Sequence, residues 1–476
     1  MAAEQERHNE AVGVLQTLDG RKASGFYWYL TVLACVGGFL FGYDTSVVGS
    51  VLNFIPYNLS DLATGYLVAG ASLGAAAGAI CAGPLTDRFG RKSLLIIDAL
   101  IFAIGALLSA FTVNAAMLII SRTLVGLAVG ADSAIATAYI AEFAPANKRG
   151  SLSIVQQWMI TVGILVSYLI ALLIFAVAPG AVRTADWRLV FGLGAVPAII
   201  AMLLRARMPE SPRWLLHRGR YAETRDAFGK LGIEVSEDEV RETADELERQ
   251  AAEQQDKRRW TPGVIRAFVI VCVFFIFQQI TGINVPFYYG PKLLAGLFQS
   301  GGAVDSAMSG LETAAILGAV NVIATFFAFK YIDRVGRRKL ALGGFAGMVI
   351  FMVIAAGGVA FLSGGAKIVV VMVGFGLFIA SFAIGVGGTG WLIQGEVFPT
   401  SVRGQAAAGA ATVNWLSNFA IVVLFPTMNT AFGLSWVMLI LAFLALLAVA
   451  FVARYLPETK NLSVEQVVSV FERQRA

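Results

Sequence analysis

Hydrophobic positions along the chain are bunched into long runs nearly free of charge, separated by short polar stretches rich in Arg, Lys and Asp. Strict alternation would mark strands, and a period near 3.6 would mark amphipathic helices around a soluble core. Neither dominates. About twelve runs approach the ~20 residues that a helix needs to cross a bilayer core. Their limits are close to 26–50, 62–82, 93–111, 115–138, 152–178, 187–206, 264–289, 311–332, 340–362, 367–391, 405–426 and 432–455. A charged interval from Met208 to Trp260 separates the sixth run from the seventh, and its short helical patterning predicts a linker of a few amphipathic helices. The pattern predicts an all-α polytopic membrane protein: a tail over 1–25, a six-helix half over 26–206, the linker over 207–262, a second six-helix half over 263–455 and a tail over 456–476.

Composition agrees. Of the 476 residues 57% are hydrophobic, 14% are charged and 50 are glycine, well outside ordinary soluble usage. Residues 1–25 are polar and mixed in charge, and the first apolar run is too long for the core of a signal peptide, so it reads as the first span. Cys35, Cys81 and Cys272 all fall in apolar runs, where they suit packing better than disulfides or metal ligands. The 36 Lys and Arg residues set the orientation. With both termini inside, only Arg183, Arg188, Lys292 and Lys367 lie in outer loops and Arg122 lies within a span; the rest are cytoplasmic, as expected of a multi-pass protein of the cell membrane. The net charge of +5 needs no nucleic acid, because the basic clusters lack interleaved aromatics for stacking on bases.

Enzyme chemistry finds little support. The only histidines, His8 and His217, lie in the soluble segments, and no metal cluster, nucleophile elbow or phosphate loop is evident, so no cofactor is expected. "GVGGTG" (385–390) matches a dinucleotide pattern but has no strand before it. Glycines at that place predict a break or thinning of the tenth helix, or close packing.

The chain is internally duplicated. "GPLTDRFGRK" (83–92) recurs as "KYIDRVGRRK" (330–339), "AEFAPANKRG" (141–150) as "GEVFPTSVRG" (395–404), and "MPES" (208–211) as "LPET" (456–459), in the same order. Such doubling is common in carriers, whose ligand sites lie near the midplane where the halves meet. There the sequence offers amides and aromatics: Gln157, Gln278, Gln279, Asn284, Asn321, Trp391, Asn414, Trp415 and Asn418. Amides both donate and accept, which suits a neutral polyol, and an indole can cover the apolar face of a sugar ring. A lone amide would more simply bond a neighbouring helix. Charges inside spans are costly and point to function. Asp44 and Asp132 are such acids, Arg122 is the one obvious intramembrane cation, and Asp98 reads as solvated near the interface.

These motifs resemble the sugar porter family of the major facilitator superfamily over nearly the whole chain: "GYD", "DRFGRK", "SRTLVGLAVG", "EFAPANKRG", "PESPRWL", "QQITGINVPFYY", "DRVGRRK", "WLIQGEVFPTSVRG" and "PETK". The resemblance implies the major facilitator fold and a carrier that alternates access. It implies sugar contacts at Gln157, Gln278, Gln279, Asn284, Asn321, Trp391 and Asn414, and an outer gate at Tyr288 and Tyr289. It implies an inner salt-bridge gate of Asp87, Arg88, Arg91, Glu142 and Arg149, repeated as Asp333, Arg334, Arg337, Arg338, Glu396 and Arg403. It places Asp44 beside Arg122, where proton-coupled members have Asp and many uniporters Asn. Burial opposes the charge on Asp44 and pairing favours it, so a changing separation would load and release a proton. The expected partners are a monosaccharide or polyol, a proton and the bilayer, with a working monomer. Two departures stand out. Thr137 replaces the usual proline of the fourth span, and Asp132 stands where sugar porters carry a small or neutral residue. Asp132 leaves open a symporter of phosphate or organic anions, a second protonation route or a polar helix contact. A facilitative uniporter, or a nutrient sensor that does not transport, would share the same fold.

Overall fold

The computed structural model describes residues 25–143, 149–254, 260–296, 302–399, 402–460 and 470–471. The side chains of Arg149 and Asp333 lie outside the described residues, as do 1–24 of the N-terminal tail and most of the C-terminal tail beyond Lys460. Among the described residues there is no strand, and twelve helices are long and apolar enough to span a membrane. Without water to bond peptide groups, a lipid-crossing backbone must satisfy itself within each helix.

In chain order the spans are Gly25–Val51, Asp61–Phe89, Arg91–Ala110, Ala115–Phe143, Arg149–Val177, Val182–Arg205, Pro262–Tyr288, Ala303–Val335, Arg337–Phe361, Gly364–Val397, Arg403–Phe432 and Leu434–Tyr455. The eighth begins earlier than hydropathy predicts, because a polar turn started at Gly302, whose N–H is bonded by Asp305, carries the helix past its apolar run. Between the sixth and seventh spans lie three short helices, Pro212–His217, Tyr221–Lys230 and Glu237–Gln254. They mark one end of the bundle, called here the linker end; the opposite end is the far end.

Small residues set the packing inside the first half. A Cβ on Gly74 or Gly78 would lie 2.0 or 2.1 Å from the carbonyls of Thr123 and Leu127, and one on Gly126 or Gly130 would lie 1.9 or 2.0 Å from those of Ala71 and Ala75. The second and fourth spans therefore touch backbone to backbone, the close approach that membrane helices use in place of a hydrophobic driving force. Large apolar side chains such as Ile97, Leu100, Ile104 and Leu107 instead point outward as a lipid-facing surface.

Two spans are interrupted within their length. The seventh stops its regular helix at Ile280, turns through Gly282 at φ +83°, and resumes as Val285–Tyr288 and Gly290–Ala295. The tenth contains a π-helical turn at Ala383–Gly387 between Gly364–Phe382 and Gly388–Val397. The glycine run neither breaks nor thins the helix, which is locally widened instead, and Gly385 packs so closely that a Cβ would lie 2.4 Å from the Leu340 carbonyl.

Candidate functional site

Between the halves lies a cavity partly open to solvent. Every described side chain lining it is uncharged; the polar ones are Ser133, Thr137, Gln156, Gln157, Gln278, Gln279, Asn284, Asn321, Asn414 and Asn418, joined by the indoles of Trp391 and Trp415. All seven residues expected to contact sugar are gathered here. Trp415 and Asn418 belong with them; the Trp415 indole N–H has no acceptor among the described residues. Thr137, where a proline was expected, donates to Ser133 O at 2.8 Å and Gln156 Oε1 at 3.2 Å and adds a polar wall.

The amides form one continuous relay. Asn418 Nδ2 donates to Ser72 Oγ at 2.8 Å, and Asn284 Nδ2 donates to both Asn418 Oδ1 and Gln279 Oε1 at 2.9 Å. Gln279 Nε2 donates to Asn414 Oδ1 at 3.1 Å, Asn414 Nδ2 to Gln278 Oε1 at 2.8 Å, and Gln278 Nε2 to the carbonyls of Val386 and Gly387 at 3.1 and 3.2 Å. Those carbonyls belong to the π-turn, whose shifted pairing exposes them to a side-chain donor. The relay thus runs from the second span, in the first half, to the widened tenth helix.

At the far end the interrupted seventh span covers the cavity. Tyr288 and Tyr289, the predicted outer gate, are buried; Tyr289 stacks on Phe425 at 5.0 Å and donates to Val422 O. Tyr168 of the first half donates to Phe287 O at 2.6 Å, and Gly49 admits the carbonyls of Phe287 and Tyr288. Below this gate Arg122 donates through one terminal nitrogen to Asp44 Oδ1, with both residues buried. Nε and the other terminal nitrogen of Arg122 have no partner among the described residues, and its guanidinium lies 5.9 Å from the Phe191 ring centre. Tyr288 faces Thr45 and Ser72 and lies near both members of this ion pair.

At the linker end the contacts described for the charged motifs run within each half. Arg91 meets Glu142 at 3.0 Å and Asp87 at 3.7 Å; Arg337 meets Glu396 at 2.6 Å. Arg403 donates to Phe398 O and Arg338 to Ala453 O, while Arg88 and Arg334 are exposed. Sequence reasoning missed the two residues that organise these ends. Glu210 accepts from the backbone N–H of Arg91, Lys92 and Ser211, and Glu458 accepts likewise from Arg337, Arg338, Thr459 and Lys460. Each carboxylate caps the unpaired amides of a helix start. Gly90 and Gly336, at φ +90° and +99°, make room: a Cβ would lie 2.2 Å from Glu210 and 2.5 Å from Glu458. Burial pushes the Glu210 carboxyl up, against the pull of the three amides. The signal was present in the repeated "MPES" and "LPET". Glu210→Ala or Glu458→Ala is expected to cost about 1–3 kcal/mol through the stranded amides, read as a lower unfolding temperature of the purified protein; an unchanged temperature in both would contradict this capping role.

Two expectations need correction. Asp98 is not solvated: it is 4% exposed and pairs with Arg205 at 3.0 Å. Arg122 is not the lone buried cation, because Arg205 is 0% exposed. Asp132, whose role the sequence left open, is not among the residues lining the cavity and lies 2.6 Å from Arg205.

Twelve spans in two halves around a polar, uncharged cavity define a membrane carrier. The profile of the family described as sugar (and other) transporters matches residues 30–471. The glucose transporter GlcP of Staphylococcus epidermidis is 34% identical over 448 residues, covering 92% of this chain and 96% of that one. The arabinose-proton symporter of Bacillus subtilis is 35% identical over 453 residues, covering 93% and 94%. Among solved structures, the partially occluded, inward open xylose transporter XylE from E. coli superposes with a TM-score of 0.79 at 29% identity, covering 92% of this chain and 100% of that one. The chain belongs to the sugar transporter family of the major facilitator superfamily, whose members are membrane transporters and not enzymes.

Proposed function

We propose that the protein carries a monosaccharide or polyol across the cell membrane by alternating access, in symport with a proton bound at Asp44 beside Arg122. The observation that carries this reading is the cavity itself, walled by a relay of amides and two indoles with no charged described side chain. Such a lining offers donors and acceptors to hydroxyls and nothing to neutralise an anion. The names of the arabinose and xylose symporters among the relatives support both sugar and proton.

Gln157, Gln278, Gln279, Asn284, Asn321, Trp391 and Asn414 hold the sugar, with Trp415 and Asn418 completing the wall. Tyr288 and Tyr289 gate the outer side. The charged clusters around Arg91 and Arg337 gate the inner side, drawing the halves together when the cavity faces out. Ser72 is the point of contact between the two functions: it accepts from Asn418 of the relay and faces Tyr288, which lies near the Asp44–Arg122 pair. A proton arriving at Asp44 weakens its hold on Arg122 and shifts the balance between gate states. The linker end is cytoplasmic, as the clustering of Lys and Arg there favours, and one chain holds the whole site, so a monomer suffices.

Titration of the purified protein with a panel of sugars, polyols and phosphate, followed by indole fluorescence, tests the substrate class. A saturable change with one or more sugars or polyols, and none with phosphate, is expected. Response to phosphate alone would overturn the reading.

A further inference from the structure

A second buried charge cluster lies toward the linker end of the first half. Arg205 is 0% exposed and its guanidinium is fully engaged: Nε donates to Leu33 O at 3.2 Å, one terminal nitrogen to Ala34 O at 3.0 Å, and the other to Leu95 O at 2.8 Å. That last nitrogen also meets Asp98 Oδ1 at 3.0 Å and Asp132 Oδ2 at 2.6 Å. Two carboxyls therefore converge on one nitrogen of one cation, each 4% exposed. The remaining oxygens, Asp98 Oδ2 and Asp132 Oδ1, are buried without a hydrogen-bond partner among the described residues.

The charge count decides what this cluster is. One guanidinium balances one carboxylate, and a second carboxylate ionised in the same dry place would be uncompensated, a state that a buried group avoids by taking up a proton. The contrast with Asp44 and Arg122 is direct, since that pair is already balanced one to one. The titratable and charged groups that meet in the cluster are Cys35 from the first span, Asp98 from the third, Asp132 from the fourth and Arg205 from the sixth. Gly37 is what separates the cluster from the cavity. A Cβ there would lie 1.8 Å from Asp132 Oδ1, so the carboxyl occupies the space a side chain would fill, and Gly37 and Ser133 are themselves in the cavity wall. Gly37 and Asp44 stand two helical turns apart on the first span, about 10 Å along its axis, so both acids are reached from the same helix.

We propose that Asp98 and Asp132, gathered on Arg205, form a second proton-binding site that holds one proton between two carboxyls and exchanges it with cavity water past Gly37. It adds a site to the proton-coupled reading without resting on it, because the test reads protonation and needs no transport.

The test is infrared spectroscopy of the purified full-length protein in liposomes without sugar. The wild type is expected to show the carbonyl stretch of a protonated carboxyl, shifted by exchange into heavy water and titrating reversibly with bath pH. Asp44→Asn keeps the band. In that Asp44→Asn background Asp98→Asn and Asp132→Asn each lose it, and each still elutes as a folded protein because one carboxylate remains opposite Arg205; if one of them does not fold, the other carries the test. An Asp44→Asn protein without the band, a band that survives in a folded Asp44→Asn protein that also carries Asp98→Asn or Asp132→Asn, or one that ignores pH would overturn the proposal.

Discussion

Asp44→Asn is expected to abolish gradient-driven accumulation of sugar while leaving exchange of sugar across the membrane largely intact. Asp44 is 5% exposed and pairs with Arg122, itself 0% exposed, so the two sit where a charge is tolerated only when neutralised. The amide of Asn has nearly the shape of the carboxyl and can accept the same bond from Arg122, which keeps its contact with the Phe191 ring. What it cannot do is take up or release a proton. Binding and gate motion, which depend on the cavity and on helix packing, survive, and only the link to the proton gradient is cut. Preloaded proteoliposomes separate the two by comparing counterflow with uptake against an imposed gradient. Undiminished accumulation would refute the role given to Asp44.

Gln279→Ala is expected to weaken sugar binding roughly ten- to a hundredfold, about 1.4–2.8 kcal/mol. Gln279 stands at the centre of the relay, accepting from Asn284 and donating to Asn414. Truncation removes one ligand contact and leaves the amide groups of both neighbours facing the cavity without their partner, and an orphaned polar group costs more than a made bond gains. Asn284 also sits at the base of the gate segment Val285–Tyr288, so gate closure is expected to slow with binding. Fluorescence titration gives the affinity and pre-steady-state uptake the rate. An affinity within twofold of wild type, in the range of a peripheral contact, would remove Gln279 from the site.

The fold was legible because its main cause is one-dimensional. Apolar runs matched to the bilayer state where the helices lie, and the paired motifs state that the halves correspond. The midplane amides were legible for a related reason: a Gln or Asn inside an apolar run has to face something polar, and "QQITGIN" supplies three at once. Arg205 and Asp98 were not. Arg205 ends the sixth run two residues before Arg207, so its charge reads as a flank at the membrane surface. Its burial arises from carbonyls of the first and third spans that close over it, a tertiary arrangement without trace in hydropathy. Asp132 was noticed as an oddity, but its partner lies on another helix and its space is made by a glycine on a third. Glu210 and Glu458 were hidden by company, being carboxylates in polar stretches full of charge. Their task shows only when the helix starts they cap are brought beside them.

Proton-driven carriage of a neutral sugar or polyol stands or falls on uptake by the purified protein in proteoliposomes. A labelled sugar or polyol that binds is supplied outside, with and without an imposed inward proton gradient. Accumulation above the external concentration is expected only when the gradient is present, and it should collapse on adding a protonophore. Equilibration to the same level in both conditions would show a carrier that the proton does not drive, contrary to the symport proposed.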